Sequence, residues 1–156
     1  MKFACDVMLG RLARWLRAGG HDVFYQRDID RSALLRVARE QGRTVLTRAQ
    51  NYRELAEIPP YLILTGDDLD GWLTQVYQAF PDLDPNRGFL SRCMECNALL
   101  EKVDKEAYKD KIPPKAMLLT GRFSRCPSCH KLLWPGTHVE RIKARFGRVL
   151  PGRFRA

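Results

Sequence analysis

Apolar positions follow two alternating rhythms over the first 80 residues. Short apolar runs, which suit buried strands, alternate with stretches where apolar residues return every three or four positions, the period of a helix. Residues 2–7 form a run broken by Asp6 and predict a buried strand that ends there. Leu9, Leu12, Ala13 and Leu16 then recur at helical spacing, with Arg11, Arg14 and Arg17 on the other side, and Gly19-Gly20 stops the helix. Residues 22–25 predict a second strand. After a turn at Asp28-Ile29-Asp30, Ala33, Leu34, Val37 and Ala38 mark a second amphipathic helix ending at Gly42. Residues 44–47 predict a third strand, 52–57 a short helix before Pro59-Pro60, and 61–65 a fourth strand. Residues 69–80 predict a helix with Trp72, Leu73, Val76 and Phe80 on one face.

This order, strand and helix in turn, calls for right-handed crossovers and a mainly parallel sheet with helices on both faces, an α/β fold in three layers. Residues 81–85 read as a linker. From Phe89 onward two cysteine pairs organise a second, smaller module, so the expected domains are 1–85 and 86–156. Beyond Glu140 stand Arg141, Lys143, Arg145, Arg148, Arg153 and Arg155 without one acid, which predicts a basic helix followed by a flexible end.

Composition narrows the class. The 156 residues are 45% apolar and 29% charged, which fits a globular protein and excludes a disordered one. No apolar run reaches the roughly 18–20 residues of a bilayer span. Asp6 puts a charge where a signal peptide needs its apolar core, so a cytoplasmic location without membrane association is expected. The net charge of +9 is unevenly placed: residues 1–85 carry 11 Lys and Arg against 12 Asp and Glu, residues 86–156 carry 16 against 6. A basic half of this kind attracts polyanions, nucleic acid foremost, with a merely solubilising surface as the plain alternative.

Cys93-Met94-Glu95-Cys96 and Cys126-Pro127-Ser128-Cys129 share one spacing. Two Cys-x-x-Cys knuckles each grip one side of a tetrahedral ion, and a redox motif would need only one pair in a thioredoxin-like setting, so structural zinc is expected. His130 and His138 then read as surface residues, Cys5 as a small core residue, and Trp134 as packing on the ribbon or stacking on a base.

In an open parallel sheet, ligands bind beyond the carboxyl ends of the strands. Those ends carry Asp6, then Asp28 and Asp30, then Thr47-Arg48-Ala49, then Asp67 and Asp68. Converging carboxylates share divalent cations, and Mg²⁺ or Mn²⁺ so held activates water against a phosphodiester. Asp30, and Asp67 or Asp68, equally fit as helix N-caps, while Asp6 is harder to explain that way. Arg11, Arg14 and Arg17 fit either a phosphate-holding face or the solvated side of a helix.

The residues from Lys2 through Gly10-Arg11-Leu12-Ala13-Arg14-Trp15-Leu16-Arg17 resemble the opening of the Mut-seven C-terminal ribonuclease family, PIN-like domains that carry a C-terminal zinc ribbon. The resemblance continues through residues 25–30, Gly42-Arg43-Thr44-Val45-Leu46-Thr47-Arg48, Ser91-Arg92-Cys93 with Cys96-Asn97, and residues 126–129 with Trp134, Gly136 and His138. It implies a PIN-like fold, RNA as partner, and metal-dependent ribonuclease activity at an acidic centre. Asp6 matches the family's first acid, and Asp28 and Asp30 match the acidic turn. Asp6 and Asp30 would hold Mg²⁺ or Mn²⁺ with a third acid, and Arg11, Arg14 and Arg48 would steady phosphates. Where the family reads Leu-Thr-Arg-Asp, this chain has Leu46-Thr47-Arg48-Ala49, and Arg31 stands where a further acid is common. A methyl group ligates no cation, so the resemblance implies a weakened ribonuclease, with an RNA-binding zinc-ribbon protein that no longer cuts as the alternative.

Overall fold

Alternation along the strands sets the architecture. β1 (Lys2–Cys5) turns Phe3 and Cys5 to one face of the sheet and Ala4 to the other, and β3 (Thr44–Thr47) does the same with Leu46 and Val45. Both faces are therefore apolar, as a parallel sheet covered on both sides requires. The computed structural model describes residues 1–54 and 58–155, the side chains of residues 53 and 54 excepted. Between and after these strands come α1 (Gly10–Ala18), β2 (Asp22–Phe24), α2 (Arg31–Gln41), β4 (Tyr61–Ile63) and α3 (Leu69–Ala79). The second half holds β5 (Glu101–Lys102), α4 (Pro114–Met117), β6 (Ser124–Arg125), β7 (Leu132–Leu133) and α5 (Thr137–Val149).

The first four strands pair in parallel in the order β2-β1-β3-β4, and the last three form a small antiparallel sheet, β5-β6-β7. Helices α1, α3 and α5 cover the Phe3 and Cys5 face, and α2 covers the Ala4 and Val45 face through Leu34, Leu35 and Ala38. The layered α/β sheet with an appended cysteine module agrees with the expectation. β1 stops at Cys5, one residue before its expected end, because Asp6 starts a tight 3₁₀ turn over Val7–Leu9, and β4 stops at Ile63, two residues before its own, because Thr65 N turns from the ladder to Gln75 Oε1. Part of the short helix expected at 52–57 is a 3₁₀ turn, Gln50–Glu54, and the remainder lies outside the described residues.

The C-terminal segment departs most from expectation. α5 begins at Thr137, and its Ile142 and Phe146, one helical turn apart, sit in the core with Leu12, Leu16 and Tyr77. Its basic residues face the sheet lobe as well: the Arg145 guanidinium lies 4.7 Å over the Trp15 ring, and Arg145 and Arg148 both pair with Asp70. The expected flexible end is tied down. Arg153 donates to the carbonyls of Tyr77, Pro81 and Leu83 at 2.7–2.9 Å, and Arg155 N donates to Asn86 Oδ1. Arg145, Arg148 and Arg153 of the basic tail are thus engaged within the fold, two of them on one shared acid.

The connection out of the sheet lobe passes against α1. Gly20 has φ +88°, and a Cβ there would collide with the carbonyl of Gly88, so glycine is required both for the turn and for the close approach. Leu90 N donates to Ala18 O at 2.8 Å just beyond this crossing. Beside it, His21 Nε2 meets Tyr77 Oη at 2.8 Å, and burial holds the imidazole down to a pKa of about 4. A histidine kept neutral contributes stability above its unfolded value near 6.5, and that stability is lost as pH falls toward 4. The urea midpoint is expected to drop between pH 7.5 and pH 5 more steeply in the wild type than in His21→Gln.

Candidate functional site

The pairing of β1 with β3 puts Cys5 opposite Leu46, so the residues that follow emerge side by side at one edge of the sheet. Asp6 N donates to Leu46 O at 3.1 Å, and the Asp6 carboxylate accepts three hydrogen bonds. Met8 N donates to Oδ1 at 3.0 Å, Arg48 N donates to Oδ2 at 3.1 Å, and the Thr47 hydroxyl donates to Oδ2 as well. Thr47 is fully buried, and its Oγ1 accepts from Ala49 N at 3.0 Å. Asp6 is therefore an N-cap for the Val7–Leu9 turn, the role that sequence had left hardest to assign. A cavity of about 180 Å³ opens beside it, with Asp6, Val7, Met8, Ile29, Thr47 and Ala49 in its wall. Arg31, Leu34 and Tyr52 complete the lining, the Arg31 guanidinium lying 5.3 Å over the Tyr52 ring and donating to Asn51.

Asp6, Thr47 and Ala49 are brought together, and the remaining expected residues go elsewhere. Asp30 caps α2 through Ala33 N, Asp68 caps α3 through Gly71 N, and Asp28 is exposed. Asp28 and Asp30 flank Ile29 without lining the cavity. The Arg48 guanidinium pairs with Asp67 and lies 5.4 Å over the Trp72 ring, so it is already engaged within the fold and does not line the cavity. Thr47 is occupied by Asp6. Arg17 is 3% exposed and cannot belong to a phosphate-holding face. Arg11 and Arg14 stay exposed, and Arg14 pairs with Glu95 at 2.7 Å.

A divalent ion of the kind the family resemblance implies needs several hard oxygen donors facing one point. The residues present do not fit it. Asp6 is one carboxylate whose oxygens already accept three hydrogen bonds, Ala49 offers a methyl group, and Arg31 adds a cation to the same wall. Among the described residues the one set of three or more Cys, His, Asp or Glu side chains that converges is Cys93, Cys96, Cys126 and Cys129.

Those four do fit zinc. Their sulfur atoms lie within 4.8 Å of one another, with Cys93 to Cys129 at 3.6 Å and Cys96 to Cys126 at 3.3 Å. A tetrahedron with Zn–S of about 2.3 Å has edges of about 3.8 Å, so small shifts close the site. The thiols titrate unequally. Burial pushes Cys93 and Cys126 up, whereas hydrogen bonds from Cys126 and Cys93 outweigh burial at Cys96 and hold it down. Trp134 packs on the ribbon with Ile112 and Phe123, and His130 and His138 are exposed, as expected.

The first knuckle is fastened to the sheet lobe by groups that sequence reading missed. Arg17 Nε and Nη2 donate to Val23 O, and its Nη1 donates to Met94 O at 3.1 Å and Glu95 O at 2.6 Å, inside the Cys93–Cys96 loop. Asn97 lies just after that loop, in the left-handed conformation at φ +68°. Its Oδ1 accepts from Val23 N, and its Nδ2 donates to Asp22. Partial burial works against ionising Asp22, yet Arg43 and Asn97 hold its carboxyl below the ordinary range. The available signal was Asn97 itself, since Asn after a knuckle tolerates φ > 0 and carries both a donor and an acceptor.

A family model described as Mut7-C RNAse domain matches residues 1–146. Comparison with curated proteins and with solved structures gave no significant match. The matched region spans the sheet, the cysteine quartet and most of α5, so the joint at Arg17 lies inside it. Arg17→Met is expected to strand the Val23, Met94 and Glu95 carbonyls and to cost about 3 kcal/mol or more in urea unfolding. The same variant is expected to release zinc faster to a colorimetric chelator than the wild type.

Proposed function

We propose, because the chain belongs to the Mut7-C RNAse domain family, that it recognises RNA and that its phosphodiester cleavage is weakened at position 49. The observation that carries the reading is the Asp6 edge. It lies at the carboxyl ends of β1 and β3, where a parallel sheet takes its ligands, and its cavity wall offers one carboxylate, a methyl group and an arginine. The family's activity comes to this chain as lineage, and the altered wall argues for binding that outlasts cutting.

The residues of the edge still have work to do in binding. Asp6, fixed by Thr47, Arg48 N and Met8 N, holds the strand ends in register at the cavity rim. Arg31 offsets its charge, so the wall is close to neutral and does not repel a phosphodiester as three acids would. Arg11 and Arg14 stand on the exposed side of α1, the helix that follows the Asp6 turn. Cys93, Cys96, Cys126 and Cys129 would hold zinc, which closes the ribbon and supplies folding energy to a module too small for a large core. We assign residues 1–85, with α5 packed into their core, to the RNA-processing lobe, and the cysteine module between them to a ribbon that grips RNA alongside it.

A second reading, a purely RNA-binding protein, draws on the same altered wall. An acid at 49 adds a carboxylate to the cavity lining, which separates the two. Ala49→Asp is expected to raise Mn²⁺-supported cleavage of a single-stranded RNA at least about tenfold over the wild type, one decade per 1.36 kcal/mol of barrier. Equal and fast cleavage by both would remove position 49 from the site. No cleavage by either, with salt-sensitive RNA binding retained, would favour the purely binding protein.

A further inference from the structure

The two lobes meet along a line of cations that share one acid. On α1, Arg11 and Arg14 lie three residues apart and so project from one face. Arg14 Nη2 pairs with Glu95 Oε1 across the junction at 2.7 Å, and Lys131 Nζ, from the second knuckle, reaches the same oxygen at 3.8 Å. Lys131 leads into β7 beside Arg125 of β6, and Arg125 Nη2 contacts His130 Nδ1 at 2.6 Å. Arg11 makes no ion pair with a described residue. The line therefore runs from the first turn of α1, next to the Asp6 edge, over the first knuckle to the second.

Glu95 is held in place from behind. Its carbonyl accepts the 2.6 Å bond from Arg17, so the backbone is pinned and the carboxylate is directed outward between Arg14 and Lys131. In contrast to Arg17, the three side chains are well exposed, at 52%, 40% and 62% for Arg14, Glu95 and Lys131. Exposed pairs are worth at most about 1 kcal/mol, so a phosphate arriving at this line can take the acid's place.

The geometry points to Glu95 as an internal counter-ion that occupies Arg14 and Lys131 in the free protein and yields them to RNA phosphates, limiting affinity for single-stranded RNA along the α1–ribbon junction. This rests on the reading of the chain as an RNA-recognising protein. Phosphate binding by these cations must displace the carboxylate, so removing its charge leaves two cations ready in advance.

The test measures binding of a fluorescein-labelled single-stranded oligouridylate to the full, zinc-loaded chain without added Mg²⁺ or Mn²⁺, over a range of salt. Glu95→Gln is compared with Glu106→Gln, which changes net charge equally but lies in the insertion between the knuckles, away from this line. Glu95→Gln is expected to bind about three- to tenfold tighter with a similar salt slope, because the same phosphate contacts form without displacing an acid. The double variant Arg14→Ala/Lys131→Ala leaves the Cys-x-x-Cys sequences intact and is expected to flatten the slope by about 0.7–1.4, one or two phosphate contacts on a single strand. Wild-type binding with equal shifts in the two glutamine variants, or a double variant with unchanged slope, would overturn the role of Glu95 and leave the RNA reading standing. Absence of RNA binding by the wild type would overturn both.

Discussion

One guanidinium joins the two halves of this molecule. Arg17 is buried, and its donors close on Val23 O at the edge strand of the sheet and on two carbonyls inside the first cysteine knuckle. A buried cation needs each of those acceptors, because an unsatisfied charge in the interior costs several kcal/mol. The requirement fixes the knuckle against α1 and β2, and the Asn97–Asp22–Arg43 chain of hydrogen bonds repeats the joint a few ångströms along. With the knuckle so fixed, Glu95 faces Arg14, Lys131 comes within reach, and α5 can return to bury Phe146 against the sheet lobe.

The same constraint shapes the functional edge. α1 runs directly from the Asp6 turn to Arg17, so one continuous segment links the cavity rim to the joint with the ribbon. The rim itself is unusual for its place in the fold. Strand ends that could gather acids around a cation instead present one carboxylate, hydrogen-bonded by Thr47, Arg48 N and Met8 N, beside an alanine and an arginine. An edge of that composition brings few hard oxygen donors to one point.

The sheet and its helices were legible because buried parallel strands and amphipathic helices leave local rhythms, and the cysteine quartet because its spacing repeats. The fates of individual charges were not. Arg17 sits beside the apolar stripe of α1 at a position that periodicity assigns to the polar side, and it is buried only because acceptors 77 and 78 residues away arrive to meet it. The tail read as a basic helix with a flexible end, since six cations without an acid draw attention from the Ile142 and Phe146 pair that docks the helix. Asp30 behaved as the cap its position allowed, whereas Asp6 took its partners from β3, 41 and 42 residues away. Long-range partners leave no mark in a local pattern.

Hydrogen–deuterium exchange on the zinc-loaded chain, before and after the metal is withdrawn by a chelator, tests the joint most directly. If the sheet lobe and the knuckle are one unit, withdrawal speeds exchange at the β1–β2 edge, Val23 N included, together with residues 91–135. Faster exchange confined to residues 91–135, with the β1–β2 amides unchanged, would contradict the account.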